Sequence, residues 1–166
     1  MALDKLKKYI GQIIVLFSIL GLVICCFSGY YFTKNLKNEK NLLKGIIRFN
    51  KNMLINLEYQ KVPLSQFINN YNDSSVSALI NNYLKQLKKG KKIVIECKNK
   101  GLKYELENYF NTLGKSDANS QIEFAKSYDK IFINYYNEFC GGADKKIALY
   151  PKLGVMVGGI VFILLI

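Results

Sequence analysis

A chain of 166 residues has room for one domain, and 24 Lys and Arg against 12 Asp and Glu give it a formal net charge of +12. It holds no histidine, the commonest metal ligand and general base, and its four cysteines lack the spacing of a disulfide or zinc framework, which suits reduced thiols in a reducing compartment. The positive charge comes from 23 lysines and one arginine, Arg48, beside 17 asparagines; this favours an acidic or anionic-lipid partner over nucleic acid, where arginine's planar fork is the usual tool.

Residues 1–8 form a short basic tail with Lys5, Lys7 and Lys8. Tyr9 to Thr33 then runs for 25 residues without a formal charge. A bilayer core about 30 Å thick needs roughly 20 apolar residues as helix, so this stretch predicts a transmembrane helix over 9–33. Tyr9, Phe27, Tyr30, Tyr31 and Phe32 crowd its ends, where amphipathic rings favour the interface. The alternative is a cleaved secretion signal. Against it, the run exceeds a usual apolar signal core, and its small-residue exit around Cys26-Phe27-Ser28 is poor.

Residues 34–152 carry 21 of the 24 basic residues and 11 of the 12 acidic ones, and read as a helical domain. Lys34 to Gln60 predicts a long helix continuing from the span, with Leu42, Ile46, Phe49, Met53 and Leu57 on one face and Leu43, Ile47 and Leu54 widening it. Val62-Pro63 forces a break, and Pro63 suits the first position of a new helix whose Leu64, Phe67 and Ile68 share a face. After the polar run Asn69 to Ser74, Asp73 or Ser74 is the expected N-cap of a helix burying Leu79, Ile80, Tyr83, Leu84 and Leu87, with Gly90 as its C-cap glycine. The same cap accounts for the formal glycosylation triplet Asn72-Asp73-Ser74. Lys91 to Lys100 has strand-like residues but no strand to pair with, which predicts a short helix or an ordered connection. Lys85, Lys88, Lys89, Lys91, Lys92, Lys98, Lys100 and Lys103 crowd this region against one acid, Glu96: a solvated face, or a patch for an anionic surface.

Leu102, Leu106, Tyr109, Phe110 and Leu113 form the next helical stripe, which Gly114 ends. Ser116 is the expected N-cap of the last long helix, with Asp117 in its first turn. In that helix Ala125, Tyr128, Phe132, Tyr135 and Phe139 step as a heptad seam, suited to a neighbouring helix or to a partner; a homo-oligomer stays open. Gly141-Gly142 is expected to loosen the helix and Pro151 to end it. Leu153 to Ile166 predicts a short C-terminal membrane helix, in which Gly154, Gly158 and Gly159 allow close approach to another helix such as the first span. Counting about 20 residues beside each span, nine basic groups lie on the domain side and three on the other. That places the domain in the cytoplasm and both termini across the membrane.

Three places resemble a known family: Leu57-Glu58-Tyr59 followed by Pro63-Leu64; Leu113-Gly114 with Ser116-Asp117 and Gln121; and Leu153-Gly154-Val155 leading to Ile163-Leu164-Leu165-Ile166. The chain resembles stage III sporulation protein AB of endospore-forming bacteria over most of its layout. The middle motif is the most specific, and Lys91 to Lys100 departs from the family's usual acid-containing helical sequence. The resemblance implies an all-α antiparallel bundle between two membrane segments, similar to the cytoplasmic domains of the type II secretion and type IV pilus platform protein. It also implies a place in the channel-like assembly between mother cell and forespore, in the mother-cell membrane around the forespore, beside a secretion-type ATPase.

Glu58 lies near a helix C-terminus, where the dipole disfavours a carboxylate, and is expected to reach the helix start at Pro63 or a nearby lysine and so fix the corner; a partner contact is the rival. Asp117 and Gln121 are one turn apart, for capping and packing or for docking. Without histidine, a phosphate-cradling glycine loop or acids paired on a helix face, no enzyme and no cofactor is expected. The functional reading is a non-catalytic assembly component. The rivals are a secreted basic protein binding anionic polymers and a membrane-active helical protein.

Overall fold

The computed structural model describes residues 2–95, 97 and 99–165, and the side chains of 13–95, 97 and 99–164. The expectations placed on Glu96, Lys98 and Ile166, and on the side chains of Lys5, Lys7, Lys8, Tyr9 and Leu165, lie outside the described residues. The fold is all-α: α1 (Ala2–Ile55), a π-helical turn (Asn56–Gln60), α2 (Leu64–Asn70), α3 (Ser77–Lys88), α4 (Lys100–Thr112) and α5 (Ala118–Leu165). The chain divides into two compact units, one of Lys40–Phe139 and one that pairs Met1–Glu39 with Cys140–Ile166.

The unit Lys40–Phe139 is a helical bundle around an aromatic core. On α1 the predicted stripe is buried at Leu43, Ile46, Phe49 and Met53. Gly45 lies on the same helix, where a Cβ would strike the side chains of Ser75 and Val76, so the glycine lets that turn approach the helix. All five stripe positions of α4 (Leu102, Leu106, Tyr109, Phe110 and Leu113) are buried. From α5 the heptad seam contributes Ala125 and Phe132, with Tyr128, Tyr135 and Phe139 partly buried against the core. Tyr109 is the hub. Its hydroxyl donates to Asn50 Oδ1 at 2.9 Å, and Asn50 Nδ2 donates to the Ala125 carbonyl at 2.9 Å, so one buried network links α1, α4 and α5 with its polar atoms satisfied. Burial drives the Tyr109 hydroxyl well above its ordinary pKa, which keeps it a donor.

Several local expectations are corrected. Pro63 is the N-cap of α2 rather than its first residue; its carbonyl accepts from the Gln66 and Phe67 N–H groups. Neither Asp73 nor Ser74 caps α3, which begins at Ser77 after Val76. Asp73 instead closes a turn, accepting from the Ser75 N–H at 2.9 Å and from its hydroxyl at 2.6 Å, a local bond that competes with the helix start. Leu87 is 55% exposed, because α3 turns it away from the core that takes Ile80 and Tyr83. Gly90, at φ +61°, ends α3 with the Gly90 N–H on the Leu87 carbonyl and the Lys91 N–H on the Gln86 carbonyl.

Residues 91–95 form neither helix nor strand. Burial alternates along them, with Ile93 and Ile95 buried and Val94 exposed. Side chains supply the pairing that a neighbouring strand would give. The Ile93 N–H donates to Asn111 Oδ1 and its carbonyl accepts from Asn111 Nδ2. The Val94 N–H donates to Gln86 Oε1 at 2.7 Å, and its carbonyl accepts from Gln86 Nε2 and Asn82 Nδ2. The Ile95 N–H donates to Glu107 Oε1 at 3.0 Å. Side-chain amides of α3 and α4 and the Glu107 carboxylate thus bond the consecutive backbone groups from the Ile93 N–H to the Ile95 N–H.

The second unit pairs the charge-free part of α1 with the end of α5. Both long helices are long and apolar enough to cross a membrane. Only 11% and 6% of their most apolar 18-residue windows are buried, whereas the core helix of a soluble protein would be mostly covered. The Ser18, Ser28 and Thr33 hydroxyls bond within the helix, Ser18 to the Ile14 carbonyl at 2.8 Å, Ser28 to the Cys25 carbonyl at 2.8 Å and Thr33 to the Gly29 carbonyl at 2.9 Å, so these three donors are satisfied in apolar surroundings. Contrary to expectation, α5 is not ended by Pro151, and it runs on through Gly141-Gly142. The glycines weaken a helix by roughly 0.5–1 kcal/mol each relative to alanine but keep their N–H groups. Proline removes a single backbone bond, and in an apolar segment the remaining bonds have no water to exchange with.

Candidate functional site

The first two motifs meet within the Lys40–Phe139 unit, at a corner between the start of α2 and the connection from α4 to α5. Gly114 adopts φ +77°, a conformation L side chains rarely take, and a Cβ there would lie 2.9 Å from Leu64 Cδ2. The backbone conformation requires glycine, and the close Leu64 methyl adds to the crowding. The Gly114 N–H donates to Gln121 Oε1 at 3.1 Å, and Gln121 Nε2 donates to Ser116 Oγ at 2.7 Å. Gln121 is 3% exposed, so its amide acts as an internal tie across the turn that launches α5.

Ser116, expected as the cap, is a partner of this tie. The N-cap is Asp117, whose carboxylate accepts from the Ser120 N–H at 3.1 Å and the Ser120 hydroxyl at 2.6 Å. Both residues are good caps, so their order alone does not choose between them. The Ser120 hydroxyl, then backbone N–H groups, hold the Asp117 carboxyl below the usual carboxylate range, so it stays charged at the positive end of the helix.

At the other motif, Glu58 sits in the π-helical turn and pairs with Lys126 of α5 at 3.2 Å, rather than with the start of α2. The corner before Pro63 is made by Asn56, whose Nδ2 donates to the Val62 carbonyl and whose Oδ1 accepts from the Val62 N–H. Lys61, at φ +53°, turns the chain between them and donates its N–H to the Asn56 carbonyl. Helical periodicity carries no sign of this role for Asn56; an asparagine seven residues before the proline was the available cue. Tyr59, by contrast, is 77% exposed.

Beside the corner lies a surface groove of about 450 Å³, lined by Leu64 and Ile68 of α2, Leu84, Leu87 and Lys88 of α3, and Leu113, Gly114 and Lys115. Of the lysine cluster, Lys88 reaches this groove. Lys85, Lys89, Lys91, Lys92 and Lys100 are exposed, and Lys103 stands 3.9 Å from Glu107. Arg48 ties α1 to the turn before α3 through Asp73 at 2.9 Å, so the chain's one guanidinium has a structural partner.

In the other unit, Gly154 packs on α1 where a Cβ would lie 2.8 Å from the Cys25 carbonyl oxygen, and Gly158 lies against Leu22 and Cys25. Gly159 meets nothing within 4 Å. Gly29 answers from α1, 3.5 Å from the Gly154 Cα by the same measure. Among the described residues no three Cys, Asp or Glu side chains gather to hold a metal ion.

The family model for stage III sporulation protein AB matches residues 14–166. No match was found among curated proteins or among solved structures.

Proposed function

The chain belongs to the stage III sporulation protein AB family, and from that membership we propose that it is a non-catalytic platform component of a sporulation channel or secretion complex. In this reading the apolar parts of α1 and α5 cross the mother-cell membrane around the forespore. The lysine-rich bundle lies in the cytoplasm, where it docks a secretion-type ATPase and other complex proteins. The observation that carries the reading is the pair of bare apolar helical segments flanking the bundle in the chain, with nine basic groups on its side and three on the other. The motif residues support it as architecture: Gly114, Gln121, Asp117 and Glu58 hold the bundle's corner with bonds to one another and to α5, and leave Tyr59 outside. The motif carboxylates have structural uses, Asp117 capping a helix and Glu58 pairing with a lysine, which supports the non-catalytic reading.

Single cysteines at Leu3, Lys89 and Ile166, placed in a chain whose four native cysteines are serine, test the arrangement in intact non-sporulating cells that produce the chain, where the far side of its membrane is the cell exterior. An impermeant maleimide should label positions 3 and 166, and reach position 89 only after permeabilisation. Labelling of position 89 on unbroken cells overturns the orientation, and the platform role with it.

A further inference from the structure

We propose that the groove between α2, α3 and the α4–α5 corner receives an amphipathic helix of a partner protein, its apolar face in the groove and its acidic flanks on Lys88 and Lys115. This deepens the docking role proposed above by naming the surface and the chemistry of its occupant, and it rests on that role. Ile68 and Leu113 form a buried base, and Leu64 and Leu84 are only partly covered. Leu87 stands 55% exposed on a helix that buries Ile80 and Tyr83. The volume, about 450 Å³, suits the few large side chains that a helix presents at i, i+3 or i+4 and i+7. Two cations and no carboxylate line it, and the nearby Asp117 carboxylate is taken up by Ser120. Lys89 and Lys91, exposed just past the end of α3, add positive charge next to Lys88 in the chain. A flat lipid surface meets exposed lysines equally well but leaves a concave apolar floor unfilled; an acidic amphipathic helix satisfies both.

A photo-crosslinking benzoylphenylalanine at position 87 of the full-length chain tests this in sporulating cells, with the linked peptide mapped by mass spectrometry. The expected product joins position 87 to another protein, within a helix whose apolar stripe is flanked by Asp or Glu. Its yield falls at least tenfold in the Lys88→Glu, Lys115→Glu variant, and reversing the partner's acids to lysine restores it. Both lysines are exposed, so thermal unfolding of that variant should match the parent; if it does not accumulate, Lys88→Gln with Lys115→Gln gives the same readout. Crosslinks only to lipid, to a second copy of this chain or to a segment without acids overturn the proposal. So does no crosslink at all, or a yield indifferent to charge. If the cysteine labelling keeps its expected pattern while this test fails, the groove is lost and the platform role stands. If the labelling itself places the bundle outside, the platform role falls.

Discussion

A single buried amide, that of Gln121, satisfies the Gly114 N–H on one side and the Ser116 hydroxyl on the other. Losing that amide forfeits two hydrogen bonds, each worth about 0.5–1.5 kcal/mol net, and empties the buried place of the Gln121 side chain, while the exposed Gly114 and Ser116 are open to water. Gln121→Ala should therefore lower the thermal midpoint of the full-length protein in detergent by about 5 °C or more; a change within 1 °C would contradict the tie. Asp73 makes a pH prediction. The Ser75 hydroxyl first, then the Ser75 N–H and Arg48, hold its carboxyl below the ordinary range. The unfolded chain, titrating near 3.9, then binds more protons than the folded one at acid pH. The contribution is thus present above about pH 4 and is lost as pH falls through the folded value. Asp73→Asn should shrink the difference between thermal midpoints at pH 6 and pH 3, and an unchanged difference would remove Asp73 from the acid limb.

Helices whose apolar residues recur every three or four positions were legible because burial imposes that period: the α4 stripe is buried throughout, and the α1 stripe is buried at Ile46, Phe49 and Met53 with Leu42 and Leu57 at its ends half-buried. Ends were less legible. Ser116 and Asp117 are both competent caps, and Asp73 can close a turn as readily as start a helix, so neighbours distant in sequence decide. Residues 91–95 illustrate this further, since their partners Gln86, Glu107 and Asn111 belong to helices on either side and announce nothing locally. At the candidate site, Gly114 and Gln121 stood out by resemblance, whereas Asn56 and Lys126 acquire their roles only when the corner folds. The glycine contacts between α1 and α5 permit a direct check. A Cβ at position 158 would lie 3.4 Å from Cys25 Cβ, close to the separation of a disulfide. Gly158→Cys should form an oxidisable intramolecular bond visible on a non-reducing gel and abolished by Cys25→Ser. Gly159→Cys, with nothing near it, should not; equal bonding from both positions would contradict the packing.

Across the whole molecule the lysines have separate uses. Lys126 anchors Glu58, Lys103 stands near Glu107, and Lys89, Lys91 and Lys92 after α3 face solvent. Substituting Lys91 and Lys92 with glutamine should leave the thermal midpoint within about 2 °C, as exposed changes usually stay within about 0.5 kcal/mol each; a larger fall would show that these side chains carry weight in the fold. The same expectation follows from how residues 91–95 are held. Glutamine and asparagine grip atoms that every polypeptide possesses, and only Ile93 and Ile95 send side chains inward. The outward positions are therefore a writable strip, on which mutation can change the electrical character of the bundle's face without disturbing the frame beneath it.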